Sequence, residues 1–312
     1  MIGLITRRFF QLLLLLLGIS FLVFMSMHFA PGDPATIIGG PNATSEDLEA
    51  IRKDMGLDRP VLVQYFDYLG GILQGDFGYS YQTGQAVTEA IITRFPTTVK
   101  LAASSTIVAV IIGVIAGIIS ARKQNSWIDV TSTTFALAGV SIPNFWLGAM
   151  LILVFAVNLQ ILPVGGLNAP FYTLAGLKEL ILPSITLGTA SAALIARMTR
   201  SSMLEVVRSD YIRTAKAKGV RKRPLIWIHA LKNAMIPVVT VIGINFGTLL
   251  GGTIITEQVF AINGVGRLMI DAIAARDFPV VQGTVLLVAA VFVVVNLIVD
   301  IVYALIDPRI SY

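Results

Sequence analysis

The chain has 312 residues, 55% hydrophobic and 13% charged, with a mean hydropathy of +0.81 and a formal net charge of +5. Soluble domains carry about 25% charged residues, so the composition excludes an ordinary soluble domain and leaves a polytopic, all-α membrane protein as the natural class. Cysteine is absent and the only histidines are His28 and His229, which excludes a disulfide framework, a thiolate metal site and a cysteine nucleophile.

In chain order, Arg7 and Arg8 precede an uncharged run of 24 residues, Phe9–Gly32. A signal-peptide core spans about 7–15 residues, so this run reads as a retained first membrane helix. PGDP (Pro31–Pro34) stops it, because proline cannot continue a helix. Thr44-Ser45-Glu46-Asp47 predicts a helix start, with a capping hydroxyl followed by acids near the positive helix end. Tyr65, Phe66, Tyr68 and Leu69 continue an amphipathic pattern, and Gly75-Asp76-Phe77-Gly78 predicts a turn. Residues 32–100 hold nine acids against five bases and are expected to form an ordered cap on the outer face.

Five further spans follow: Leu101–Ala121, a run from Asp129 to about Asn158 that Pro143 is expected to kink, Leu180–Ala196 with Pro183 near its start, Asn233–Thr256 and Phe278–Val299. A crossing helix needs about 20 apolar residues. The expected organisation is thus a first span at 1–31, a cap at 32–99, and a core domain at 100–312 with five spans and a basic loop at about 200–237. The amino terminus, the 122–127 loop and the 197–232 stretch are basic, whereas the loops at 159–179 and 257–277 are not. The positive-inside rule therefore puts both termini and the basic stretch in the cytoplasm.

Much of the chemistry of self-powered machines is missing. There is no G-x-x-x-x-G-K-[ST] phosphate loop, no H-E-x-x-H and no Cys/His cluster. As delimited, the six spans hold no Asp, Glu, Lys or Arg in their interiors. Ion-coupled carriers place such groups inside the membrane as relays, so a carrier with its own ion coupling is disfavoured. The interiors do hold small polar residues, which serve helix packing in any membrane protein; Ser141, Asn144, Thr189, Asn245 and Thr248 are the candidates for a neutral polar translocation path.

The basic island, Arg197 to Lys232, has ten Lys or Arg against two acids, Glu205 and Asp210. Ser209 or Asp210 can cap a short helix starting at Tyr211. Ala215 and Gly219 are four apart, a spacing that shares one helical face, and Gly219 is also a good terminator. Pro224 suits the first turn of a second short helix running to Leu231. Three readings compete: a solvated basic loop, an anionic-lipid contact, and a docking element for a cytoplasmic motor.

Asp210-Tyr-Ile-Arg-Thr-Ala-Lys-Ala-Lys-Gly219 resembles the cytoplasmic EAA loop of ABC importer permeases, with Ala215 and Gly219 on the motif's second alanine and its glycine, and Arg213 and Thr214 departing from its first two positions. His229-Ala-Leu-Lys-Asn-Ala-Met-Ile-Pro237, PGDP, Gly75-Asp-Phe-Gly-Tyr-Ser80, Thr256-Glu-Gln-Val-Phe260, Gly264-Val-Gly-Arg267 and Arg276-Asp-Phe-Pro-Val-Val-Gln-Gly283 resemble the dipeptide/oligopeptide/nickel branch of that family; Asn263 stands where the branch often has proline. The resemblance covers nearly the whole chain.

It implies the type I ABC importer permease fold with six transmembrane helices, in a bacterial or archaeal cytoplasmic membrane. It further implies the first permease subunit of an importer for di- or oligopeptides, with glutathione or nickel complexes as alternative substrates. A second homologous permease would complete the pore, an extracytoplasmic binding protein would deliver substrate, and two cytoplasmic ATPases would bind ATP and magnesium. This chain would itself be no enzyme and hold no cofactor; membrane lipid is an implied contact and nucleic acid is not. Asp210, Tyr211, Arg213, Thr214, Ala215, Lys218 and Gly219 would form the ATPase-coupling element. A non-transporting membrane scaffold or receptor is the alternative of a different class.

Overall fold

The computed structural model describes residues 2–29, 33–221 and 224–306. Its helices are α1 (Ile2–Phe29), α2 (Pro34–Gly39), α3 (Ser45–Asp54), α4 (Val61–Leu73), α5 (Val87–Arg122), α6 (Trp127–Ser141), α7 (Asn144–Leu151), α8 (Leu174–Val207), α9 (Asp210–Ala217), α10 (Leu231–Val259), α11 (Val265–Ala275) and α12 (Phe278–Ile306). Two π-helical segments join them, Ile152–Asn158 after α7 and Leu225–Ala230 before α10. Among the described residues, five helices are long and apolar enough to cross a membrane, or six if the bent pair α6–α7 makes one span.

The chain separates into two compact units. The first comprises residues 1–98 and 263–293. Here α3 starts where its sequence signal lies: the Thr44 hydroxyl accepts from the Asp47 amide and the Asp47 carboxylate accepts from the Thr44 amide. This reciprocal arrangement satisfies two otherwise orphaned donors; the Thr44 hydroxyl also donates to the Asp47 carboxylate at 2.7 Å, and that bond, followed by the one from the Thr44 amide, holds the exposed Asp47 carboxyl below its usual range. Asp33 caps α2 through the Ala35 amide; Pro31 and Gly32 of the PGDP motif lie outside the described residues. On α4, Tyr65 stacks edge-on against Phe21 of α1 and shares a 2.9 Å hydrogen bond with Ser20.

Two sequence motifs meet in this unit. The buried Asp277 carboxylate accepts from the Ser80 hydroxyl at 2.5 Å and from the Tyr81 amide at 3.1 Å. Burial, with the Asp277 charge beside it, pushes the Tyr81 phenol up to about 12. Gly75 and Gly78 adopt positive φ in the expected turn. Asn263 accepts from Arg94 Nε at 3.0 Å, a bond that a proline could not make.

The second unit comprises residues 99–262 and 294–312. α8 is packed here against α10, α6 and α5, and its approach to α5 is especially close. A Cβ at Gly113 would lie 2.7 Å from the Ala192 carbonyl oxygen, and one at Gly117 would lie 2.6 Å from the Ala196 carbonyl oxygen. Gly113-Val-Ile-Ala-Gly117 is thus a small-xxx-small face that lets two membrane helices approach backbone to backbone. Ser104 and Ser184 bridge the same pair through their hydroxyls at 2.7 Å.

Three expectations need revising here. Pro143 does more than kink a span. Ile142 is driven to an extended conformation, as the residue before proline is, and the axis turns by 103° between α6 and the α7–π segment. The helix that carries the fourth span does not end at Ala196: no glycine or proline occurs between Gly188 and Val207, and α8 runs to Val207. At 1.5 Å per residue, its 34 residues reach roughly 51 Å, beyond an apolar layer of about 30 Å. The segment from Pro224 to Leu231 is not a separate helix: it leads as a π-helix straight into α10, giving one continuous run, Leu225–Val259.

Candidate functional site

The helix α9 follows α8 after a turn at Arg208 and Ser209. Ser209 stands at its N-cap position, but its hydroxyl donates to the Val206 carbonyl instead of capping. The helix therefore begins at Asp210, one residue before the expected start. Ile212 is its buried anchor, 4% exposed, packed in one cluster with Ile118 of α5, Met203 of α8, Ala230 and Ala234. Tyr211 supplies a second attachment: its hydroxyl donates to the His229 carbonyl at 3.3 Å and accepts from Asn233 Nδ2 at 2.7 Å. One turn of α9 is thereby tied to the ends of three long helices.

The opposite side of α9 is free. Asp210, Arg213, Thr214, Lys216 and Lys218 are exposed, and Ala215 is half-buried. The Asp210–Arg213 ion pair, at 3.4 Å with side chains 96% and 75% exposed, contributes little to stability. Gly219 does not share a helical face with Ala215, because α9 ends at Ala217. It sits past the end with φ +83°, where its amide donates to the Lys216 carbonyl and the Val220 amide donates to the Ala215 carbonyl. This is a Schellman termination, whose left-handed residue favours glycine. Of the island's outward bases, Lys222 and Arg223 lie outside the described residues.

A cavity of about 550 Å³ lies between α5, α6 and α8. Its lining includes Ser120, Thr133, Ser141, Arg197, Arg200 and Ser201. Behind it sits Asp129, 5% exposed. Arg200 Nε and Nη2 donate to the two Asp129 carboxylate oxygens at 2.7 Å each. The Ser120 hydroxyl and the Asn125 amide donate to the same carboxylate. A carboxylate held by a bidentate guanidinium and two further donors is a satisfied buried ion, and its geometry is fixed.

Of the five residues expected on a neutral path, only Ser141 lines this cavity. Asn144 opens α7 at its first position. Thr189 back-bonds to the Ile185 carbonyl, with its methyl against Gly139. Asn245 donates to the Val241 carbonyl, meets Ser191 at 3.4 Å and accepts the Thr248 hydroxyl on its own carbonyl. The extension of α8 past Ala196 carries Arg197 and Arg200 beyond the span delimited from the sequence and brings them to a cavity among the long helices. Asp129, Ser120 and Arg200 were not singled out from the sequence. A signal was present: Asp129 has no base, and Arg200 no acid, three or four residues away, so each had to find a distant partner.

A bundle of long apolar helices with a short charged helix pinned across their ends defines a multi-spanning permease component of an ABC importer. Residues 113–312 match the family model described as binding-protein-dependent transport system inner membrane component, and residues 1–102 match the model of its N-terminal part; the chain belongs to this family, within its dipeptide/oligopeptide/nickel-type branch. It is 44% identical over 312 residues, the full length of both chains, to the glutathione transport system permease protein GsiC of Escherichia coli K12 and to that of Shigella dysenteriae serotype 1. In fold it is similar to the MetNI methionine ABC transporter in its inward-facing conformation, at a TM-score of 0.59 and 18% identity, covering 70% of this chain and 96% of the other. Membership makes this chain the membrane component of a binding-protein-dependent importer, which works with ATPase subunits and a substrate-binding protein.

Proposed function

We propose that this chain is one of two homologous permease subunits that together form the pore of an ATP-driven importer for short peptides in a prokaryotic cytoplasmic membrane. Substrates of two or three residues fit this reading best, and the relatives named as glutathione permeases support a tripeptide. The termini and α9 face the cytoplasm, where α9 rests on an ATPase subunit. The observation that carries the reading is the two-sided character of α9: Ile212 and Tyr211 lock one side to α5, α8 and α10, while the other side is exposed. Movement of an ATPase under that exposed side would pass to three long helices at once, which gives nucleotide a two-state element to bias. The ATP and magnesium belong to the partner subunits.

The test is uptake by the reconstituted complex of this chain, its partner permease, the ATPases and the binding protein. Peptide accumulation that requires ATP inside the vesicle compartment equivalent to the cytoplasm is the expected result. A complex that binds its partners and hydrolyses ATP but moves no peptide would make the chain a scaffold instead.

A further inference from the structure

The cavity between α5, α6 and α8 has an unbalanced charge. Its lining contains two guanidiniums, Arg197 and Arg200, and no carboxylate. Asp129 behind the wall is the nearest acid described there, and its oxygens are occupied by Arg200, Ser120 and the Asn125 amide. Arg200 is therefore neutralised by its own pair. Arg197, one turn earlier on α8, is exposed and makes no ion pair or hydrogen bond to any described residue. The rest of the polar lining is hydroxyl, and Ser132 and Ser201 are likewise unbonded to described residues. Ser120 and Thr133 spend their hydroxyl protons on Asp129, so the net result is one free guanidinium with Ser132 and Ser201 as neutral donors in the same lining.

We propose that Arg197 is the specificity-determining residue of this cavity and receives a carboxylate of an acidic peptide on its way through the importer. This deepens the transport reading and rests on it. A guanidinium takes a carboxylate in a bidentate fork, and the hydroxyls around it supply donors for a second oxygen or a peptide carbonyl. About 550 Å³ lies within the roughly 300–1,000 Å³ of small-ligand sites, which suits two or three residues. The Asp129–Arg200 pair has a separate part: it keeps the cavity wall in place and prevents Asp129 from capturing Arg197. Every peptide carries a terminal carboxylate, but only an acidic one also offers Arg197 a side-chain carboxylate and so gains a further charge-assisted hydrogen bond.

The experiment compares Ala-Glu-Ala with its near-isosteric neutral partner Ala-Gln-Ala in the reconstituted complex with its native ATPases, partner permease and binding protein. The binding protein is the same in every arm, so its own preference cancels when each variant is divided by wild type. Arg197→Gln is expected to lower Ala-Glu-Ala uptake about tenfold more than Ala-Gln-Ala uptake, and Arg197→Lys to recover part of the difference. An equal fall for both peptides, or no fall for either, overturns the proposal. The same variants are measured in vesicles with and without anionic lipid: a defect that follows lipid charge instead of peptide charge assigns Arg197 to the headgroups and also overturns it. Failure of the wild-type complex to import either peptide with ATP would count against the transport reading itself, which separates the two failures.

Discussion

Gly219 closes α9 in a left-handed conformation at φ +83°, with open space where a Cβ would stand. Its requirement is thus conformational within this chain, and that has a measurable consequence. Gly219→Ala places an L-residue where it is strained by about 1 kcal/mol, loosening the turn and lowering uptake. Gly219→Asn is expected to retain more uptake than Gly219→Ala, because asparagine tolerates the left-handed region although it is the larger residue. The reverse order would mean that the empty space itself is what an ATPase surface needs. At this scale the sequence is legible where a residue acts within its own turn of chain, as with Gly219 as terminator or Thr44 as cap. It was not legible where a charge acts across the fold: Asp129 and Arg200 are 71 positions apart, and no periodicity joins them.

At the scale of elements, α9 acts as a lever only if it is held firmly on one side. Ile212 is its one buried residue, so Ile212→Ala removes most of the apolar grip, at a cost of roughly 2 kcal/mol, the low end for such a truncation because the helix is short and mostly exposed. The expected outcome is slip: the assembled complex still hydrolyses ATP, but the number of peptides imported per ATP falls severalfold. Loss of hydrolysis and uptake in equal proportion would show that α9 merely supports assembly. The start of α3 follows from its capping residues; α9 was expected from a cap as well, but Ser209 does not cap it, and its end at Gly219 is the clearer sequence signal. The π-helical Leu225–Ala230 leaves no such trace, because a hydrophobic run has the same composition whichever hydrogen-bond register it adopts. Pro143 marked the break in the α6–α7 pair but not its size, since proline stops the ladder while the packing around it decides where the chain goes next.

At the scale of the molecule, the run of spans was readable from hydropathy, because every backbone donor in lipid must be satisfied within a helix or a closed barrel and the lengths are set by the bilayer. The two-unit division was not readable, since the first unit is assembled from distant stretches joined by contacts such as Ser80 with Asp277. In the mechanism proposed for this importer, force enters through the exposed side of α9. The chain has no native cysteine, so a single Lys216→Cys can be paired with a cysteine scanned along the ATPase surface in the assembled complex. A crosslink from Lys216→Cys to the ATPase, with a yield that changes when ATP is added, is the predicted result; an assembled, transporting complex in which no ATPase position ever reaches that cysteine would contradict the account.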